Sequence, residues 1–182
     1  CIAALKKQTS DISIIAIDNG SNDDFVAQVT SKHPDVELIQ HNYNRGFAGG
    51  VNAGIRKAKE RGFEFVALVN SDALPQPSWV EELLKTMQKH DEAGIVTGKF
   101  LLEDGTIDST GDLYTIWGLA FPRGRGEKDE GQYEEVESVL GASGGASLYK
   151  LALFDDIGLF DEDFFAYYED VDISLRAQSR GC

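Results

Sequence analysis

"FEFVALVNSDALPQPSWVEELLKTMQKH", residues 63–90, holds the pattern on which the fold turns. Residues 63–70 form an apolar run without strand-like alternation, which predicts a strand covered on both faces. The run stops at a polar turn, and Pro75 and Pro77 follow. From Pro77 an amphipathic pattern predicts a helix, with the proline in its first turn, where its missing N–H costs nothing. Asp72 therefore stands at the carboxyl end of a buried strand, just before a helix.

The same unit recurs on either side. "DISIIAID", residues 11–18, reads as a strand ended by the turn "NGSND", and residues 22–31 read as a helix. "VELIQ", residues 36–40, is a second strand, and "HNYNRGFAGG", residues 41–50, a Gly-rich loop. In "VNAGIRKAKERG", Val51, Ile55 and Ala58 share one helical face, and Gly62 suits a helix C-terminus. "GIVTGKFL", residues 94–101, is a fourth strand. Buried strands alternating with amphipathic helices predict an α/β domain with a mostly parallel central sheet flanked by helices.

Beyond residue 100 the pattern changes. "EDGTIDSTGDLYTIWG" predicts short hairpin strands, and the charged "FPRGRGEKDEGQYEEVES", residues 121–138, a mobile loop or lid. "VLGASGGASLYK", residues 139–150, returns to strand, and the remainder holds a short helix and a longer one from about Tyr168.

The chain of 182 residues carries 31 Asp and Glu against 17 Lys and Arg, a net charge of −14. That surface argues against nucleic acid as a partner, because phosphate-backbone affinity comes mainly from Lys and Arg. An anionic ligand needs local help from a metal, an Arg or a helix N-terminus. Cys1 and Cys182 are the only cysteines, which gives neither a disulfide framework nor zinc spacing and fits a reducing, cytoplasmic setting. His33, His41 and His90 are isolated and read as surface residues.

In open parallel sheets ligands sit beyond the carboxyl ends of the strands. Asp18, the 41–50 loop and Asp72 share that edge. Read singly, the two acids fit turn formation equally well.

Five segments in order, "AIDNGSND", "NRGFAGGVNAGI", "ALVNSDALPQPSWVEEL", "GASGGASLYK" and "GLFDEDFFAYYEDVDISLRAQSRG", resemble the inverting family 2 glycosyltransferases of the GT-A fold, in their rhamnosyltransferase-like branch. The resemblance implies a nucleotide-sugar donor (dTDP-rhamnose or a UDP-sugar), a glycan or lipid-linked glycan acceptor, and Mg²⁺ or Mn²⁺. It assigns Asp18 to the nucleobase and Asn44, Arg45 and Gly46 to the nucleotide loop. Asp72 matches the last acid of the metal-binding motif. Asn70 stands where many members carry an acid, which implies weaker metal binding, and its amide suits the ribose. Asp170 matches the catalytic base, with Glu169 as companion. Gly144 and Gly145 would let an acceptor sugar approach the backbone, although a bulge explains them nearly as well. Trp117 and Tyr168 are acceptor-side candidates, and Phe164, Phe165 and Tyr167 either join Tyr168 in a stacking wall or belong to the core.

On this reading residues 1–182 are one catalytic domain, with residues 1–100 holding the nucleotide-sugar and residues 101–182 the acceptor. It lies in the cytoplasm or peripherally at the inner face of the membrane. Members begin with an apolar strand absent here and continue past "RGC", so the chain reads as a fragment with open strand edges, which favour a homodimer. Two other readings compete. "GFAGG" between strand and helix points to a dinucleotide-binding oxidoreductase, but it lacks the G-x-G-x-x-G spacing. The absent segments and Asn70 fit a non-catalytic module that holds a glycan or a partner.

Overall fold

The computed structural model describes residues 1–181. In chain order the elements are α1 (Ile2–Leu5), β1 (Ile15–Asp18), α2 (Phe25–Lys32), β2 (Glu37–Gln40), α3 (Gly46–Glu60), β3 (Phe65–Val69), α4 (Trp79–Lys89) and β4 (Ile95–Thr97). Then come β5 (Phe100–Leu101), β6 (Ile107–Ser109), β7 (Asp112–Tyr114), β8 (Ala120–Pro122), β9 (Ala146–Lys150), α5 (Leu153–Ile157) and α6 (Glu169–Gln178). A single 3₁₀ turn, Glu162–Phe164, precedes α6.

The expected strands and helices of the first half are present, with changes of boundary: the strand expected over 11–18 begins at Ile15 and the helix expected over 22–31 at Phe25. The helix expected after residue 50 begins at Gly46, so half of the Gly-rich loop is its first turn. The strand expected over 94–101 breaks into β4 and β5 around Gly98.

The sheet is mixed. β1 and β2 pair in parallel, Ile15 opposite Glu37 through Asp18 opposite Gln40. β3 and β4 do not pair with each other, because β9 lies between them and runs antiparallel to both. β9 is almost wholly buried, and its Tyr149 is fully so. This strand arrives from a distant part of the chain, which is why strand-by-strand reading misses its direction.

The main core gathers Ala48, Ile55, Ala58, Leu68, Tyr149 and Phe154 with Leu151, Phe160 and Ile173. Tyr149, Phe154 and Phe160 stack mutually with centroids 5.7, 5.9 and 6.2 Å apart. Each such aromatic pair is worth roughly 1 kcal/mol beyond its buried area. On the other face of β9, Leu148 packs with Leu83 and Met87 of α4.

β1 and β3 belong to separate sheets. Between them lies an apolar cleft of about 1050 Å³, walled by residues of both strands, including Ile15, Ile17, Phe65 and Val69. Each strand turns an unpaired edge toward it. α3 packs against both strands and bridges the gap.

Ion pairs join the charged 121–138 segment to β4–β5 and to itself. Lys99 holds Asp129 at 2.8 Å and Glu134 at 2.6 Å, and Arg123 holds Glu137. No helix among the described residues is long and apolar enough to cross a membrane.

Candidate active site

Asp18 ends β1 and is 1% exposed. The Ser21 backbone N–H donates to its Oδ1 at 3.0 Å, while Oδ2 is buried without a partner. Hydrogen bonding from Ser21 holds the carboxyl below its ordinary range, against the opposing push of burial. His41 follows β2 beside it; the residue is half-buried, and its Nε2 is also buried without a partner.

The next residue, Asn19, clasps the 44–46 loop. Its Nδ2 donates to Asn44 Oδ1 at 3.1 Å and to the Gly46 carbonyl at 2.7 Å. Its Oδ1 accepts from the Arg45 backbone N–H at 3.0 Å. Asn44 Oδ1 also accepts from the Gly46 N–H at 2.8 Å. One carboxamide thus fixes the loop to the end of β1. "IDNG" carried this signal, since Asn after a strand is well suited to bridging loop backbones.

Gly46 has φ +72°, and a Cβ there would lie 2.2 Å from the Phe165 carbonyl oxygen. Only glycine permits this approach, which brings the loop against the segment leading to α6. Phe165, Tyr167 and Tyr168 all take positive φ, at 60°, 72° and 68°. Left-handed conformations cost a side-chain-bearing residue roughly 1–2 kcal/mol each. Three of them immediately before Glu169 and Asp170 mark strain stored at the start of α6.

Arg45 does not stand free. Its Nη2 contacts Glu162 Oε2 at 2.9 Å, and Asn52 donates to Glu162 Oε1 at 3.2 Å. Asn52, then Arg45 and Arg56, hold the Glu162 carboxyl below its ordinary range.

Asp170 is the second residue of α6. Its Oδ2 accepts from the Gly144 N–H at 3.1 Å, and its Oδ1 from the Val171 N–H at 2.9 Å. A Cβ on Gly144 would lie 3.3 Å from the Phe47 ring and 3.4 Å from Asp170 Cβ. Gly145 in turn accepts from the Asn70 N–H at 2.7 Å. The chain of contacts therefore runs from Asn70 at the end of β3, through Gly145 and Gly144, to Asp170. Beside it Glu169 is buried, at 6% exposed; its Oε2 has no partner, and burial, with Asp170 adding to it, raises its carboxyl.

Asp72 is exposed in the turn after β3, closed by the Ala73 N–H on the Asn70 carbonyl at 3.1 Å. Among the described residues no donor reaches its carboxylate, and no group of three or more His, Cys, Asp or Glu side chains could hold a metal. Asn19, Phe47, Gly50, Asn70 and Ser71 all line the β1–β3 cleft; Asp18 and Asp72 border it through those neighbours.

The other acceptor-side candidates divide. Tyr168 is 46% exposed beside the strained turn, and Phe164, Phe165 and Tyr167 are also exposed rather than core. Trp117 is 87% exposed at the tip of the β7–β8 hairpin. The sequence reading did not single out Asn19, Asn52, Glu162 or Asp112. Asp112 is 9% exposed at the start of β7, and its only signal was an acid placed in a strand pattern.

Parallel and antiparallel sheets flanked by helices, with loops converging at one edge, fit the GT-A fold of nucleotide-sugar transferases. The structure aligns with that of S. aureus TarS 1-349 in complex with UDP at a TM-score of 0.61 and 17% identity, covering 97% of this chain and 49% of that one. It aligns with GalNAc-T7 with UDP, GalNAc and Mn²⁺ at 0.69 and 15% identity, covering 97% and 37%. The sequence model of "Glycosyl transferase family 2" matches residues 1–158, and the chain belongs to that family. It is 26% identical to an N-acetylglucosaminyl-diphospho-decaprenol L-rhamnosyltransferase of Mycobacterium tuberculosis, over 93% of this chain and 62% of the relative. It is 27% identical to the low-salt glycan biosynthesis hexosyltransferase Agl10 of Haloferax volcanii, over 90% of this chain and 52% of the relative. The chain thus spans between about half and 62% of the length of these relatives.

Proposed function

We propose that this domain transfers a sugar from a nucleoside diphosphate to a glycan hydroxyl with inversion, using Asp170 as the base. One observation carries the reading: the 44–47 loop, Gly144–Gly145 and residues 165–170 converge on the Asp170 carboxylate, which two backbone N–H groups fix in place. A base must be held within reach of the proton it takes, and this one sits on rigid elements.

The donor half follows from residues 1–100. A buried carboxylate oxygen without a partner, as at Asp18 Oδ2, calls for an N–H donor. The imide N–H of uracil or thymine supplies one. UDP in the TarS complex and rhamnosyl transfer by the mycobacterial relative support UDP-sugars and dTDP-rhamnose as the donors to try. Asn70 would bond the ribose through its amide. A phosphate could draw Arg45 from Glu162, since Asn52 and Arg56 would remain on that acid.

Asp72 fits a hard divalent cation as a single exposed carboxylate, with diphosphate and water supplying the other oxygens. Mg²⁺ or Mn²⁺ bound there would supply charge neutralisation on the leaving diphosphate. The protein's part in the reaction is separate. Asp170 accepts the acceptor's hydroxyl proton, and the freed oxygen pair attacks the anomeric carbon. The glycosidic C–O bond breaks, and its electron pair departs with the nucleoside diphosphate. Tyr168, Gly144 and Gly145 border the space where the acceptor, a glycan or lipid-linked glycan, would lie, with Trp117 farther out. Open edges on β1 and β3 would also suit pairing between two copies as a homodimer.

The test is turnover of UDP-sugars and dTDP-rhamnose by the full-length protein and by Asp170→Asn. Loss of at least about a hundredfold in kcat with donor affinity retained supports the reading. Undiminished turnover in Asp170→Asn would overturn it.

A further inference from the structure

The β7–β8 hairpin has two unlike faces. Asp112 pairs with Pro122, Leu113 with Phe121 and Tyr114 with Ala120. Side chains alternate along a strand, so Asp112 and Tyr114 share one face and Leu113 and Phe121 the other. The first face is turned inward. Tyr114 donates its hydroxyl to the carbonyl of Val171 at 3.4 Å, in the first turn of α6. Asp112 is buried, and that burial pushes its carboxyl up to about 6. The second face leads outward, with Phe121 42% and Leu119 56% exposed.

Ile116 and Trp117 form the apex and are 91% and 87% exposed. They are the central residues of a turn closed by the Gly118 N–H on the Thr115 carbonyl at 2.9 Å. The Thr115 N–H donates to the Leu119 carbonyl at 2.9 Å, and the Leu119 N–H to Thr115 Oγ1 at 3.0 Å. Gly118, at φ +80°, completes a three-residue loop of a common hairpin form. A hydrogen-bonded turn therefore holds both side chains out. Its central positions usually carry Asn, Asp, Ser, Gly or Pro, which help the chain to turn. Ile116 and Trp117 give no such help, and in water they forfeit the gain from burial. From Leu113 to Pro122 no residue is charged, in a chain where 26% of residues are.

We propose that the tip of this hairpin, Ile116 and Trp117 with Leu119, inserts into the interfacial layer of a phospholipid bilayer. Three observations favour lipid over a protein partner. The apolar surface is a convex apex, and fluid lipid accepts it without the matching shape that a protein interface needs. Three of the five backbone N–H groups from Thr115 to Leu119 are paired within the turn, as entry into an apolar layer demands. Trp suits this depth, because its ring is apolar and its indole N–H reaches the headgroups.

The attachment does not draw on charge. Glu137 engages Arg123, Asp108 engages Arg125, and a net charge of −14 repels anionic headgroups. The contact is shallow, reversible and driven by apolar burial. It would set the first turn of α6, and Asp170 with it, near the membrane surface, where a lipid-linked acceptor would lie. The inference does not rest on Asp170 being the base, because its test reads lipid contact and not turnover.

The experiment mixes the full-length protein, Trp117→Phe and the double variant Ile116→Ser/Leu119→Ser with phosphatidylcholine vesicles brominated in their acyl chains. Subtracting the Trp117→Phe emission from that of the parent isolates Trp117. Its emission should shift to the blue and be quenched by the bromines, and added salt should leave both effects in place. The double variant should need at least about tenfold more lipid for half of the quenching. Should that variant not fold, the quenching in the parent decides. Trp117 emission that stays unshifted and unquenched would overturn the inference, whether or not the protein floats with the vesicles. Quenching seen only with added phosphatidylglycerol and abolished by salt would overturn it too, since the contact would then be electrostatic. Sedimentation velocity tests the other occupant: a dimer that the double variant dissociates would assign the tip to a second copy and overturn the lipid assignment.

Discussion

The Gly144 backbone N–H donates to Asp170 Oδ2 at 3.1 Å, and this bond sets where the candidate base points. Its donor is a glycine because the Phe47 ring and Asp170 Cβ leave no room beyond van der Waals contact. Gly144→Ala is expected to displace Asp170 or Phe47 by a few tenths of an ångström. Small misplacements of reacting groups are costly, so kcat should fall about tenfold or more while nucleotide affinity holds. Steady-state kinetics beside calorimetry checks this; a joint loss of both would mean collapse of the site instead.

Gly46 carries the contact between the nucleotide loop and the turn before α6. Gly46→Ala puts a methyl 2.2 Å from the Phe165 carbonyl oxygen at a backbone φ of +72°. The conformation alone costs roughly 1–2 kcal/mol, and the clash adds to it. Denaturant unfolding should show a loss above about 2 kcal/mol. A stability equal to that of the parent would mean the two segments do not touch in solution.

Asn52 is fully buried on α3 and bonds the Phe160 carbonyl at 2.8 Å and the Phe160 N–H at 3.1 Å. Asn52→Ala leaves both buried backbone groups without a partner, which costs about 3 kcal/mol. It also frees Glu162 to bind Arg45 and Arg56 alone. Chemical denaturation checks the first effect. The second should weaken nucleotide binding, because Arg45 is then held more tightly away from phosphate.

Asp112 predicts a pH dependence of stability with a definite sign. Its folded value, about 6, lies above the ordinary 3.8, so the folded state binds the extra proton between those limits. Stability from this residue is present below about pH 4 and is lost as pH rises through 6. Asp112→Asn removes the penalty. It should unfold at higher denaturant than the parent at pH 8, with the difference vanishing by pH 4. A variant less stable at pH 8 would contradict this account of the residue.

The sequence made the local units legible and left their assembly unread. Apolar runs and helical spacing located β1, β2, β3 and α4, because those signals are set within ten or so residues. β9 was legible as a strand, but its place between β3 and β4 depends on a connection of some fifty residues that no local pattern encodes. Asp18, Asp72 and Asp170 could be picked out as acids at strand and helix ends. The groups that hold the site together were hidden for the same reason as β9. Asn19 and Arg45 meet across 26 residues, and Arg45 and Glu162 across 117. The early start of α3 was missed because three glycines read as loop until close packing against Arg45, Phe165 and Asn19 accounts for them.

Calorimetric titration of the full-length protein with UDP and dTDP, with and without Mn²⁺ and beside Asp72→Ala and Asp18→Asn, tests the central claim most directly. The account predicts binding that Mn²⁺ strengthens, that Asp72→Ala renders indifferent to Mn²⁺, and that Asp18→Asn weakens. Absence of binding to either nucleotide, or binding untouched by both substitutions, would contradict it.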